Sequence, residues 1–182
     1  MLRALIISSA LLATAPLAFA NSNHVESAEA LVSVAATSIA QSEEERVADA
    51  VLSHVDTRAI ANFTLGRYGR ALDAAEKARY VETFEAFLRR QIQANADQFS
   101  GVEVEVVNTA ARNARDAIVT TRLSTDAGSL NVRWRVIERG GNWSVVDLEV
   151  AGIWLAIEQR AQVAAILSKP GADLDDLIAQ LG

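Results

Sequence analysis

The sequence predicts an α+β fold: an antiparallel curved sheet of about four or five strands, packed against a long helix and several shorter helices. Three observations carry this expectation. Apolar residues recur at helical spacing up to about residue 98, change to a period of two in successive runs between Val102 and Val150, and return to helical spacing afterwards. The alternating runs follow one another through short turns, which favours antiparallel pairing with one face solvated. Helices before and after such a sheet in chain order give a layered α+β arrangement.

The 182 residues open with a targeting pattern. Arg3 precedes an apolar run from Ala4 to Ala15, short for a membrane span. Ala18-Phe19-Ala20 has the small-x-small form of a cleavage site. Residues 1–20 are therefore expected to be a cleaved signal peptide, and residues 21–182 one domain. A chain of that length buries roughly 70% of its unfolded surface and needs no covalent staples. It has no cysteine, which excludes a lipoprotein anchor, thiol chemistry and Cys-ligated metal. The net charge is −6, and loss of Arg3 with the leader takes it to about −7. That sign argues against nucleic acid as a partner and against a basic membrane-binding patch.

Ser27 to Ala40 is Ala/Val-rich with helical spacing. Ser42 stands three residues before Glu45, the spacing of a capping box, and Val47, Val51 and Val55 form the next stripe. Asp56 or Thr57 caps a short helix through Ile60 and Phe63, and Gly66 and Gly69 mark a turn or a close approach. Asp73 opens the longest helix, to about Gln98, roughly 39 Å at 1.5 Å per residue. Val81, Phe84, Leu88 and Ile92 form its apolar face, with Phe87 beside them, so that face must meet something.

The strands come next. Val102, Val104 and Val106 alternate with Glu103 and Glu105, and Ile118 to Leu123 is a second run. Asp126-Ala127-Gly128 turns into a third, with Leu130, Val132, Trp134 and Val136 on one face. Gly140-Gly141-Asn142 is a hairpin signal, and Trp143 to Val150 is the fourth strand. Gly152 ends the sheet. Ile153 to Ser168 reads as a helix, Pro170-Gly171 breaks it, and Asp173 caps a last short helix bearing Leu174, Leu177, Ile178 and Leu181.

Catalytic and metal-binding signatures do not emerge. His24 and His54 have no partner at metal-ligand spacing. There is no Gly-x-Ser-x-Gly elbow, P-loop or Gly-x-Gly-x-x-Gly opening a helix. No cofactor is expected. Asp147 lies inside a strand between Val146 and Leu148, and simple alternation puts it on one face with Trp143, Val145 and Glu149. A buried strand carboxylate can act as a general base. The plainer reading is a structural carboxylate paired with Arg133 or Arg135 on the neighbouring strand.

What remains is apolar. Val150 to Ile157 runs without a charge across a strand-to-helix junction, and Trp134 and Trp143 lie on adjacent strands. On periodicity alone an ordinary filled core is the simpler reading. The stripe becomes a pocket only if helices and sheet stand apart.

Two segments carry a family resemblance. One is Asp56-Thr57-Arg58-Ala59-Ile60-Ala61 with Leu65-Gly66-Arg67-Tyr68, followed by Tyr80 and Phe84. The other is Trp143 to Leu155, with Arg160 and the terminal Asp173/Leu177/Leu181 helix. Together they resemble the MlaC family, the periplasmic phospholipid-binding proteins of the Mla lipid-transport system. The order of elements matches over essentially the whole mature chain. The family pattern near the sheet end resembles Trp-x-Val-x-Asp-x-x-x-x-Gly-Val-Ser-Leu, with an Asn-Tyr-Arg further on. Trp143, Val145, Asp147, Gly152, Leu155 and Arg160 match. Trp154 stands in place of Ser, Gln159 of Tyr, Val163 of Phe, and Gly69 of Trp.

The resemblance implies a non-enzymatic periplasmic carrier with a lipid-sized cavity between helices and sheet. Its partners would be phospholipid, an inner-membrane ABC transporter complex with an MCE-domain subunit, and an outer-membrane lipoprotein–porin complex. Phe84, Phe87, Leu88, Trp134, Leu148, Val150, Trp154 and Leu155 are the expected lipid-pocket residues, each of which also fits a plain core. Two alternatives stand beside the carrier. One is a small cone-like α+β enzyme with Asp147 as general base. The other is a non-catalytic adaptor domain whose core is filled.

Overall fold

Capping chemistry fixes where three helices of the computed structural model begin. The structure describes residues 17–99, 102–126 and 128–182. Asp56 accepts from the Ala59 amide at the start of α3 (Thr57–Leu65). Asp73 and Glu76 form a full capping box on α4 (Ala74–Gln93), and Asp173 with Asp176 does the same on α6 (Leu174–Leu181). The box expected at Ser42 does not form. The Ser42 hydroxyl donates back to the Ser38 carbonyl, and a 3-10 turn at Glu44–Arg46 leads into α2 (Val47–Leu52) instead.

The helix α1 spans Leu17–Ala40, so it extends ten residues before Ser27 and outgrows α4. Residues 1–16 of the expected signal peptide lie outside the described residues. Among the described residues no helix is long and apolar enough to cross a membrane. The helix α4 stops at Gln93, and Ala96–Phe99 tightens into a 3-10 turn. Its 20 residues make it about 30 Å long, shorter than the sequence suggested.

The sheet has five strands in the order β1-β2-β3-β4-β5, all neighbours antiparallel. They are β1 (Glu103–Asn113), β2 (Asp116–Thr125), β3 (Gly128–Arg139), β4 (Asn142–Val150) and β5 (Ile153–Trp154). Gly152 turns the chain rather than ending the sheet: with Ala151 at φ +51° and Gly152 at +83°, it folds β5 back on β4. The helix α5 (Leu155–Leu167) starts directly after it. Ala127, in the expected β2–β3 turn, lies outside the described residues.

Two cores result. In the first, Ala28, Val32, Ala36 and Ile39 of α1 and Val47 of α2 pack on Val119, Val132, Trp134, Val136 and Val145 of the sheet. The small residues of α1 let its backbone approach the strands closely. In the second, α3, α4, α5 and α6 pack around Leu65, Tyr80, Phe84, Val163 and Leu177. Gly66 sits at a close approach between α3 and α5. Its φ is +53°, and a Cβ there would lie 2.9 Å from the Arg160 guanidinium. Arg160 in turn covers the Phe63 ring at 4.9 Å.

The buried polar groups are matched. Trp134 Nε1 donates to Thr121 Oγ1 at 2.9 Å. The Thr64 hydroxyl donates to the Ala61 carbonyl and lies 2.8 Å from Tyr80 Oη, so Tyr80 is the donor to Thr64. Burial pushes the Tyr80 hydroxyl up to about 12, which keeps it a donor. Tyr80→Phe should cost about 1–2 kcal/mol in urea denaturation, because it leaves a buried acceptor unmatched. Tyr80→Phe with Thr64→Val should cost less than the sum of the single changes, since neither partner is then orphaned. Strictly additive losses would show that the pair is not coupled.

Candidate functional site

The two cores do not merge. Between them lies a cavity of about 650 Å³. From the helical side, α4 contributes Phe84, Phe87, Leu88 and Ile92, and α3 contributes Ile60. Facing them across the gap are Val132 and Trp134 of β3 and Val145, Leu148 and Val150 of β4. Ala36 and Ile39 of α1, with Val51 and Val55, and Leu155 and Ala156 of α5 also line it. A second, more open cleft of about 550 Å³ adjoins it at Ala40, Val102 and Val104. Thr37, Gln41, Glu103, Glu105 and Ser124 make that one polar.

The cavity wall on β4 depends on a bulge. Val136 pairs with Val145, but Arg135 pairs with Asp147, so Val146 is an extra residue. The shift reverses the alternation. Val145, Leu148 and Val150 share one face with Trp134 and Val132, and Asp147 and Glu149 share the other with Arg135 and Arg133. Asp147 is nonetheless buried, 6% exposed, and borders the cavity where β4 meets α5. Simple alternation grouped Asp147 with Val145, and the bulge is why that grouping fails.

Asp147 has a defined structural task. Its Oδ1 accepts from the Leu148 amide and from the Ala156 amide, both at 2.8 Å. Ala156 lies in the first turn of α5, whose own N-cap, Trp154, supplies no side-chain cap. Asp147 thus caps α5 from a neighbouring strand. Of the two expected arginine partners, Arg135 faces it but forms its ion pair with Asp116 at 2.9 Å, and Arg133 pairs with Glu149 at 2.5 Å. Burial raises the Asp147 carboxyl above its ordinary value of 3.8, and the two amides and Arg135 offset this only in part. His24 and His54 lie in α1 and after α2, and among the described residues no group of three or more metal-ligating side chains converges.

Seven of the eight residues expected at the pocket line this cavity: Phe84, Phe87, Leu88, Trp134, Leu148, Val150 and Leu155. Trp154 is not among them. It pairs with Glu149 in the β4–β5 register, which puts it on the outer face, where the Arg133 guanidinium lies 5.3 Å from its ring centre. The lining that sequence reasoning missed is of two kinds. Residues of α1 and α2 lie far away in the chain, and nothing local marks them. The rim is polar: Gln91 on α4, Asn95 just beyond its end, and Glu158, Gln159 and Gln162 on α5. Their spacing, i, i+3 and i+4, continues the stripes of Leu88 and Leu155, but a search for apolar periodicity passes over glutamines.

Residues 26–182 match the family model described as MlaC protein. No curated protein matches the chain. Among solved structures, the chain is similar to the phospholipid-binding protein from Ralstonia solanacearum, solved in complex with a phospholipid. The TM-score is 0.73 at 18% identity, over 87% of this chain and 94% of the other, which shows a shared fold.

The raised carboxyl of Asp147 has a testable sign. The folded state holds this proton to higher pH than the unfolded chain does. Its stabilising contribution is therefore complete below the ordinary carboxylate value and is lost as pH rises through the shifted one. The stability of the wild type minus that of Asp147→Asn, from urea titrations between about pH 4 and 8, should fall across that window and then level off. A difference that grows with pH would contradict the assignment.

Proposed function

The chain belongs to the MlaC family, and on that premise we propose that it is a phospholipid carrier that holds acyl chains between α4 and the inner face of the sheet. The observation that carries this reading is the apolar cavity of about 650 Å³ separating the two cores. That volume falls within the ordinary range for small-molecule sites, about 300–1,000 Å³. The physical logic is transfer out of water. Each buried methylene is worth about 0.8 kcal/mol, so a chain of about sixteen carbons gains roughly 12 kcal/mol on entering a dry cavity. The head group stays at the rim, where Gln91, Glu158, Gln159 and Gln162 offer hydrogen bonds.

In this reading residues 21–182 form one lipid-binding domain, released into the periplasm when a leader over residues 1–20 is removed. The carrier collects or delivers lipid at an inner-membrane ABC transporter complex with an MCE-domain subunit, and exchanges it with an outer-membrane lipoprotein–porin complex. Such traffic needs no nucleophile. Asp147 serves it by fixing the start of α5 beside the cavity.

Purified protein should therefore yield phospholipid on organic extraction and mass spectrometry. Leu148→Trp and Leu88→Trp, which place an indole in the cavity, should lower that yield severalfold. They should also leave thermal stability unchanged or raised. In a filled core the same changes would overpack and cost about 1–3 kcal/mol. An extract without lipid above background, together with strong destabilisation by both tryptophans, would favour the adaptor with a filled core.

A further inference from the structure

The charge of the cavity rim bears on which lipid is held. The lining contains two carboxylates, Asp147 and Glu158, and no Lys, Arg or His among the described residues. Asp147 is committed to α5, and by capping it from β4 it occupies the helix N-terminus that would otherwise attract a phosphate. The neighbouring arginines are engaged elsewhere: Arg135, opposite Asp147 in the sheet, forms its ion pair with Asp116. Arg133 lies on the outer face with Glu149 and Trp154, and Arg160 is laid over Phe63 and against Gly66. Glu158 is exposed on the first turn of α5, where Gln162 Nε2 donates to its Oε1 at 3.3 Å. A lipid head group at this rim meets neutral amides and one exposed carboxylate, on a chain whose net charge is already −6.

Resting on the carrier reading above, we infer that the rim selects zwitterionic phospholipids, whose ammonium group is attracted to Glu158, over phospholipids with a net negative head group. The amides satisfy the phosphate oxygens of either class, so they anchor without discriminating. Discrimination comes from the sign at Glu158. Because that group is exposed, the effect is modest and depends on salt.

The test uses the purified full chain incubated with vesicles containing equal amounts of phosphatidylethanolamine and phosphatidylglycerol with matched acyl chains. Mixing both lipids in one bilayer removes any bias from the chain's repulsion by anionic surfaces. The protein is re-isolated, and the ratio of captured lipids is read by mass spectrometry. At about 0.1 M salt the wild type should be enriched about threefold in phosphatidylethanolamine over the vesicle composition, shrinking toward parity at about 1 M. Glu158→Gln should bring the ratio near parity, and Glu158→Lys should reverse it. Capture in vesicle proportion by all three proteins, or enrichment in phosphatidylglycerol by the wild type, overturns the selectivity while leaving the carrier reading intact. Capture of neither lipid overturns both.

Discussion

Two aspartates fasten the helical layer to strand β4, at Val145 and at Asp147, and both attachment points border the cavity. Asp56 works at three points at once. Its amide donates to the Val145 carbonyl at 2.9 Å, its Oδ1 caps α3, and its Oδ2 pairs with Arg139 of β3 at 2.5 Å. The His54 carbonyl accepts from the Val145 amide, so residues 54–56 pair with β4 on its free side. Asp147 does the corresponding work for α5 through the Ala156 amide. Helices α3 and α5 are thus pinned to the middle of one strand, at Val145 and Asp147. The bundle they belong to, α4 included, is held by these pins rather than by interdigitation across the whole sheet. Apolar side chains from both sides can then face a shared space without filling it.

The two segments singled out in the sequence hold these joints. The segment from Asp56 to Tyr68 holds the first pin and the close approach of Gly66 to Arg160. The segment from Trp143 to Leu155 holds the bulge at Val146, the second pin and the β4–β5 turn. Neither segment is a catalytic signature. Both are geometric devices that join one layer to the other. The walls themselves require only apolar side chains of suitable size, and such walls tolerate substitution more readily than joints do.

The legible parts of the fold were those set by local chemistry. The Asp56, Asp73 and Asp173 caps, the glycine turn at Gly140–Gly141 and the alternation in β3 act within a few residues, and each was readable. The misread parts were decided by distant partners. Ser42 has the spacing of a cap, but its hydroxyl is taken by the preceding helix. One extra residue at Val146 reverses the facing of Asp147, and no composition signal marks it. Trp154 looked like pocket because it lies in an apolar run, yet pairing with Glu149 carries it to the outer face beside Arg133. The seven expected pocket residues that line the cavity are on regular stretches of α4, β3 and β4 and at the start of α5. The polar rim followed the same helical spacing and was missed because its residues are amides and one carboxylate rather than apolar side chains.

The central claim is that the gap between α4 and the inner face of the sheet accommodates acyl chains. A crystal structure of the protein purified with its native lipid tests this most directly. The account predicts hydrocarbon density running between Phe87 and Leu88 on one side and Leu148 and Val150 on the other, with the head group near Gln159 and Gln162. Side chains of the two cores meeting there instead, or lipid seated on the outer face beside Trp154, would contradict it.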